Sequence, residues 1–206
     1  QDDYALWNGA KAGVEFGSRL ATGDFNADGY ADLVIGMFLE PVNGVDAAGM
    51  VSVVYGSASG LNVDTVQIFH QGLEDVAGAD GGTTPRFDLR GTPETNDYVG
   101  VQLGVGDFDG DGIDDLAIAA VGEDLETNAT ATDAGFVMVV YGTAGEGIDS
   151  MKHPDDQGRQ VGFDQEGSLS GPDYDLFGTA EDGDAIGTAL AAGDFNADGY
   201  DDLAIG

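Results

Sequence analysis

Residues 23–36 read GDFNADGYADLVIG, and nearly the same words return at 106–119 as GDFDGDGIDDLAIA and at 193–206 as GDFNADGYDDLAIG. Each copy is an acidic, glycine-bearing loop followed at once by a short apolar run. Such recurrence organises the whole chain, because a repeated unit that cannot bury its apolar face alone must stack on its neighbours. The first Asp of each loop (Asp24, Asp107, Asp194) recurs at near-even spacing, and the downstream sequence follows suit. GMVSVVYGSASG at 49–60 is matched by GFVMVVYGTAGEG at 135–147.

Short β-rich runs bounded by Gly, Asn and Asp predict strands. They fall at 18–23, 33–36, 50–55 and 66–71 in the first unit and at 102–106, 116–120, 136–141 and 161–165 in the second. The third unit has 188–193 and 203–205. No window sustains a long 3.6-residue periodicity, and the 35 glycines disfavour helix. Four strands per unit with turns between them make a β-propeller blade, so the predicted fold is all-β, with blades of four antiparallel strands. The segment 3–9, DYALWNG, resembles the fourth strands VQIFHQG and VGFDQEG and is read as the outer strand of a preceding blade. Blade 1 then spans 14–72, blade 2 spans 98–166, and 185–206 is the inner half of blade 3; 73–97 and 167–184 are polar insertions. Two whole blades and two partial ones predict an incomplete propeller or part of a larger one. Its open edges call for further residues of a longer protein or for neighbouring chains that complete the sheet.

The loop itself has a chemical logic. Positions 1, 3 and 5 of the first copy are Asp24, Asn26 and Asp28, position 6 is Gly29, position 7 is Tyr30 and position 9 is Asp32. Oxygen side chains at alternate positions of a tight loop converge on one point. Glycine at position 6 permits the sharp turn, and the position 7 carbonyl and a last carboxylate complete the shell. The second copy offers Asp107, Asp109, Asp111, the carbonyl of Ile113, and Asp115; the third offers Asp194, Asn196, Asp198, the carbonyl of Tyr200, and Asp202. An all-oxygen shell of this kind suits Ca²⁺ better than Mg²⁺, which predicts three calcium sites. An EF-hand would need Glu at position 12, where this chain has Ile35, Ile118 and Ile205, each in a predicted strand. The bland alternative is a turn-forming Asp/Asn/Gly hairpin with no metal. Three copies with every ligand position filled favour the metal.

Phe16-Gly17, Leu20-Ala21 and then GDFNADGYADLVIG resemble the FG-GAP repeat of integrin α-subunit β-propellers and their bacterial and archaeal relatives. The run YGSASGL at 55–61 is similar to prokaryotic secreted members. The resemblance covers nearly the whole chain apart from the insertions. It implies a calcium-binding β-hairpin between the first two strands of each blade, at the positions named above, and an extracellular adhesion or interaction module. The sequence also departs from that pattern. The FG pair becomes Val99-Gly100 and Ile186-Gly187, and the GAP triplet is replaced by Gly36-Met37-Phe38 and Ala120-Val121-Gly122.

Composition narrows the partners. A net charge of −33, from 39 acidic residues against six Lys and Arg, argues against nucleic acid and against anionic membrane surfaces. Cation-holding loops and a surface adapted to high salt are both sources of such acidity. No cysteine is present, so disulfides and thiolate metal sites are excluded. No segment is long and apolar enough to span a bilayer, and no signal peptide is recognisable. The first residue is Gln1, which predicts a processed chain or a fragment. Asn128-Ala129-Thr130 matches the N-glycosylation pattern, a triplet common by chance. Extracellular calcium modules bind at about 10⁻⁴ to 10⁻³ M, so cytosolic calcium would leave such sites vacant; a secreted or cell-surface location follows.

Catalysis is hard to assemble from this inventory. The only histidines are His70, read as a strand residue, and His153, in a polar loop. GSASG at 56–60 and GSLSG at 167–171 lack the central Ser of a nucleophile elbow. The best-placed carboxylates are taken as metal ligands, and a filled Ca²⁺ shell has no position for substrate. The reading is therefore of no enzyme. Three classes stay open: a calcium-stabilised module binding a protein or glycan, a structural subunit of a surface layer or filament, and a non-catalytic propeller attached to a secreted hydrolase.

Overall fold

The computed structural model describes residues 15–72, 86–89, 91–125, 131–148, 161–165, 174–176 and 179–206. Among these residues the regular structure is β only. Strands β1 Arg19–Gly23, β2 Asp32–Met37, β3 Met50–Val54, β4 Val66–Gln71 and β5 Arg86–Leu89 form one sheet in chain order. A second sheet holds β6 Leu103–Gly106, β7 Asp115–Ala120, β8 Phe136–Val140, β9 Val161–Asp164 and β10 Tyr174–Asp175, and β11 Leu190–Gly193 pairs with β12 Asp202–Ile205 as a two-stranded ribbon. The first four strands of each large sheet are antiparallel neighbours, the arrangement expected of a blade.

Each sheet also carries a fifth strand that the sequence did not announce. β5 and β10 pair in parallel with β4 and β9, and both lie within the stretches read as polar insertions. A parallel return needs a long connection, which these stretches supply. RFDL and YD are too short to display the alternation by which strands are recognised. The strand expected at 3–9 lies outside the described residues, as do Asn128 and His153.

Alternation along the strands sorts side chains between two packed layers. Leu116, Ile118 and Ala120 of β7 face the first sheet, where they join Val34, Val51, Val53 and Phe69 in one buried cluster. Their neighbours Ala117 and Ala119 turn the other way, toward Leu190, Leu203 and Ile205 of the ribbon. The second sheet is thus covered on both faces. Small residues point to the ribbon because its backbone comes close: a Cβ added at Gly187 would lie 2.8 Å from Ala119 Cβ. Each fully buried Val, Leu or Ile contributes about 1.5–3 kcal/mol, so this layered packing is the main source of stability. It also fixes the three hairpins in a row, because β1 and β11 both lie against β6.

Candidate metal centre

Each acidic loop closes at the same register: Gly23 opposite Asp32, Gly106 opposite Asp115 and Gly193 opposite Asp202. The loops are therefore β-hairpin connections, and position 9 is the first residue of the second strand. Position 12 (Ile35, Ile118, Ile205) lies inside β2, β7 and β12, which leaves no place for an EF-hand helix.

Within the loop, carboxylates and backbone donors form a fixed pattern. In the first copy Asp24 Oδ1 accepts from the Asp28 N–H at 3.1 Å and Oδ2 from the Gly29 N–H at 2.9 Å. Asp107 does the same with Asp111 and Gly112, and Asp194 with Asp198 and Gly199. Position 5 follows, with Asp28, Asp111 and Asp198 accepting from the amides of Tyr30, Ile113 and Tyr200. The turn requires left-handed backbone at position 6, with φ of 86°, 84° and 95° at Gly29, Gly112 and Gly199. Glycine adopts that region without a Cβ penalty, so the sequence places it where the hairpin reverses.

Asp32 and Asp115 have a second task. Asp32 is buried, and its two oxygens accept from Phe25 at 2.9 Å and from Gly56 at 2.8 Å, beyond the end of β3. Asp115 repeats this with Phe108 at 2.8 Å and Gly142 at 2.9 Å. Each ties its hairpin to the end of the third strand of its sheet. Burial pushes the Asp32 carboxyl up to about 6, against the lowering effect of its two backbone donors; the charges of Asp28 and Asp24 push the same way as burial. A bound cation would favour the ionised form.

The second loop brings its ligands together most closely. Oxygens of Asp107, Asp109 and Asp115 all lie within 4.8 Å of one another. Calcium holds its ligands at about 2.3–2.6 Å, so two of them are at most about 5 Å apart, and these three fit around one ion. Among the described residues it is the one carboxylate triad so arranged. The outer loops carry Asn26 and Asn196 at position 3, whose Nδ2 groups donate to Asp28 Oδ2 at 3.2 Å and Asp198 Oδ2 at 3.0 Å. There a hydrogen bond stands in place of the position 3 carboxylate. The all-oxygen donor set of the second loop suits a hard cation such as Ca²⁺, and neither thiolate nor imidazole joins it.

Position 8 also has a role, one that the loop motif does not announce. Asp114 Oδ2 accepts from the Asp24 N–H at 2.7 Å, one unit upstream, and Asp201 Oδ2 accepts from the Asp107 N–H at 3.0 Å. The return contacts are backbone ones, with Asp114 N–H donating to the Asp24 carbonyl at 3.4 Å and Asp201 N–H to that of Asp107 at 2.8 Å. The first loop has Ala31 at this position. His70, the one histidine among the described residues, is buried in β4 with Nδ1 2.7 Å from the Gln71 carbonyl oxygen.

Stacked sheets of four antiparallel strands, each entered through an acidic hairpin, are blades of a β-propeller, and the chain holds part of one. The FG-GAP repeat family model matches residues 16–54, 99–140 and 186–206, one match in each unit. The chain therefore carries three FG-GAP repeats, as the motif resemblance implies.

Proposed function

We propose that the chain is a calcium-binding module of the extracellular space, in which Ca²⁺ at the three hairpins stabilises the blades and the module binds a protein or glycan. The observation that carries the calcium reading is the convergence of Asp107, Asp109 and Asp115 in a loop whose turn is already set by backbone donors. Without a cation these carboxylates repel one another, so metal binding contributes to folding. Ca²⁺ sits in a closed shell, its role is structural, and the module is not an enzyme. The extracellular placement rests on the millimolar calcium such sites need and on the family match. No helix among the described residues is long and apolar enough to cross a membrane. Adhesion to a protein or glycan rests on family analogy alone.

Thermal melting in calcium and in chelator tests the proposal. At calcium one hundred times the dissociation constant, each site adds about 2.7 kcal/mol, and the midpoint rises accordingly. Identical midpoints in the two buffers refute the structural role of calcium.

A further inference from the structure

We propose that Asp114 and Asp201 are positioning residues that couple neighbouring metal loops: each sets the first ligand of the loop one unit upstream. The calcium affinity of a loop then depends on the unit that follows it. The inference rests on the calcium reading above and extends it to residues that are not themselves ligands.

The geometry occurs twice. Asp24 is gripped through both its backbone groups by Asp114, at 2.7 Å through the N–H and 3.4 Å through the carbonyl. Asp107 is gripped in the same way by Asp201, at 3.0 and 2.8 Å. A residue held at both its N–H and its C=O has little freedom in φ and ψ. Its carboxylate, which accepts from the position 5 and 6 amides as in all three loops, is thereby carried on a fixed backbone. Such close approach demands glycine just before the loop: a Cβ at Gly106 would lie 2.8 Å from Asp201 Oδ2, and one at Gly23 3.0 Å from Asp114 Cβ. In the first loop the grip continues, with Thr143 N–H donating to the Phe25 carbonyl at 3.1 Å and Gly145 N–H to that of Asn26 at 2.7 Å. Ligand positions 1 to 3 of that loop are therefore held by the second unit.

A preorganised loop binds more tightly because the ordering cost is already met when the ion arrives. Coupling between binding sites is reciprocal, so filling the first loop also tightens its junction with the second unit. A simple charge effect would act differently. If Asp114 only added negative potential, any variant lacking its charge would weaken the first loop equally.

The test is a Ca²⁺ titration of the whole chain followed by amide NMR, reading Gly29, Gly112 and Gly199 as separate reporters of the three loops. Asp114→Ala is expected to raise the calcium midpoint at Gly29 about five- to tenfold, the low end of measured site-to-site coupling, while Gly112 keeps its midpoint. Asp201→Ala is expected to do the same at Gly112, which keeps the test open if the first variant folds poorly. Asp114→Asn retains an acceptor without the charge and should restore most of the affinity. An unchanged Gly29 midpoint in Asp114→Ala together with an unchanged Gly112 midpoint in Asp201→Ala overturns the coupling alone. Equal losses in Asp114→Ala and Asp114→Asn also overturn it, in favour of plain charge. Wild-type amides that ignore Ca²⁺ bring down the calcium reading and the coupling with it.

Discussion

Asp115→Asn separates the scaffold role of a candidate ligand from its metal role. Asp115 is fully buried, and its two oxygens serve the Phe108 and Gly142 amides at 2.8 and 2.9 Å. In the Asn variant the carbonyl oxygen keeps one donor, and the side-chain NH₂ is turned against the other. A buried donor left unpaired costs about 1–3 kcal/mol, so Asp115→Asn is expected to destabilise by about 2 kcal/mol and Asp115→Ala by about 4. The Asn figure is placed low because losing the charge relieves repulsion from Asp107 and Asp109. Urea unfolding in chelator is the appropriate assay, since no bound ion then contributes. Asp202 supplies an internal control: it is half-buried and accepts one backbone amide, from Phe195 at 3.0 Å, in a setting open to water. Asp202→Asn is expected to cost less than half as much. Equal effects at the two positions, or an Asp115→Asn change below about 0.5 kcal/mol, the scatter of ordinary surface substitutions, would refute the strut role of the carboxylate.

Further expectations concern charge and pH. Burial pushes the Asp97 carboxyl up to about 7, helped by the charges of Glu94, Asp124 and Asp133 and opposed by the Glu94 amide that donates to it. Because its folded value lies above the unfolded one, Asp97 favours the folded state fully below about pH 4, and that contribution is lost as pH rises from about 4 to about 7. The wild-type minus Asp97→Asn difference in melting temperature should therefore fall across that window in chelator, and a flat difference would contradict the assignment. The middle loop, with carboxylates at Asp107, Asp109, Asp111 and Asp115, is expected to release calcium last on chelator titration. Asp109→Asn should bring its affinity down to that of the outer loops by calorimetry, and an unchanged tightest site would refute this order.

Much of this architecture is legible in the sequence because it is local. Leu116, Ile118 and Ala120 alternate with Ala117 and Ala119 inside one strand, and the hairpin is announced by glycine and acid at fixed offsets. The parts that escaped are those made by residues far apart. Asp114 and Asp201 look like any solvent-facing acid beside a ligand, and their partners lie 90 and 94 residues away. The loop motif marks Asp32 and Asp115 as ligands and nothing more. Their second bonds run to Gly56 and Gly142, the second residues of the YGSASG and YGTAGEG runs, and nothing in those runs records the partner. The fifth strands escaped for another reason: a short edge strand needs one ladder and little side-chain pattern.

The second and third loops each carry both halves of the inter-unit clasp, an amide at the first position and a carboxylate at the eighth. Copying one such repeat in tandem creates a junction whose two partners are already present and in register. Removing a fraction of a repeat instead strands a donor on one side and an acceptor on the other. Recombination that moves whole repeats of this kind therefore leaves the clasp between them intact.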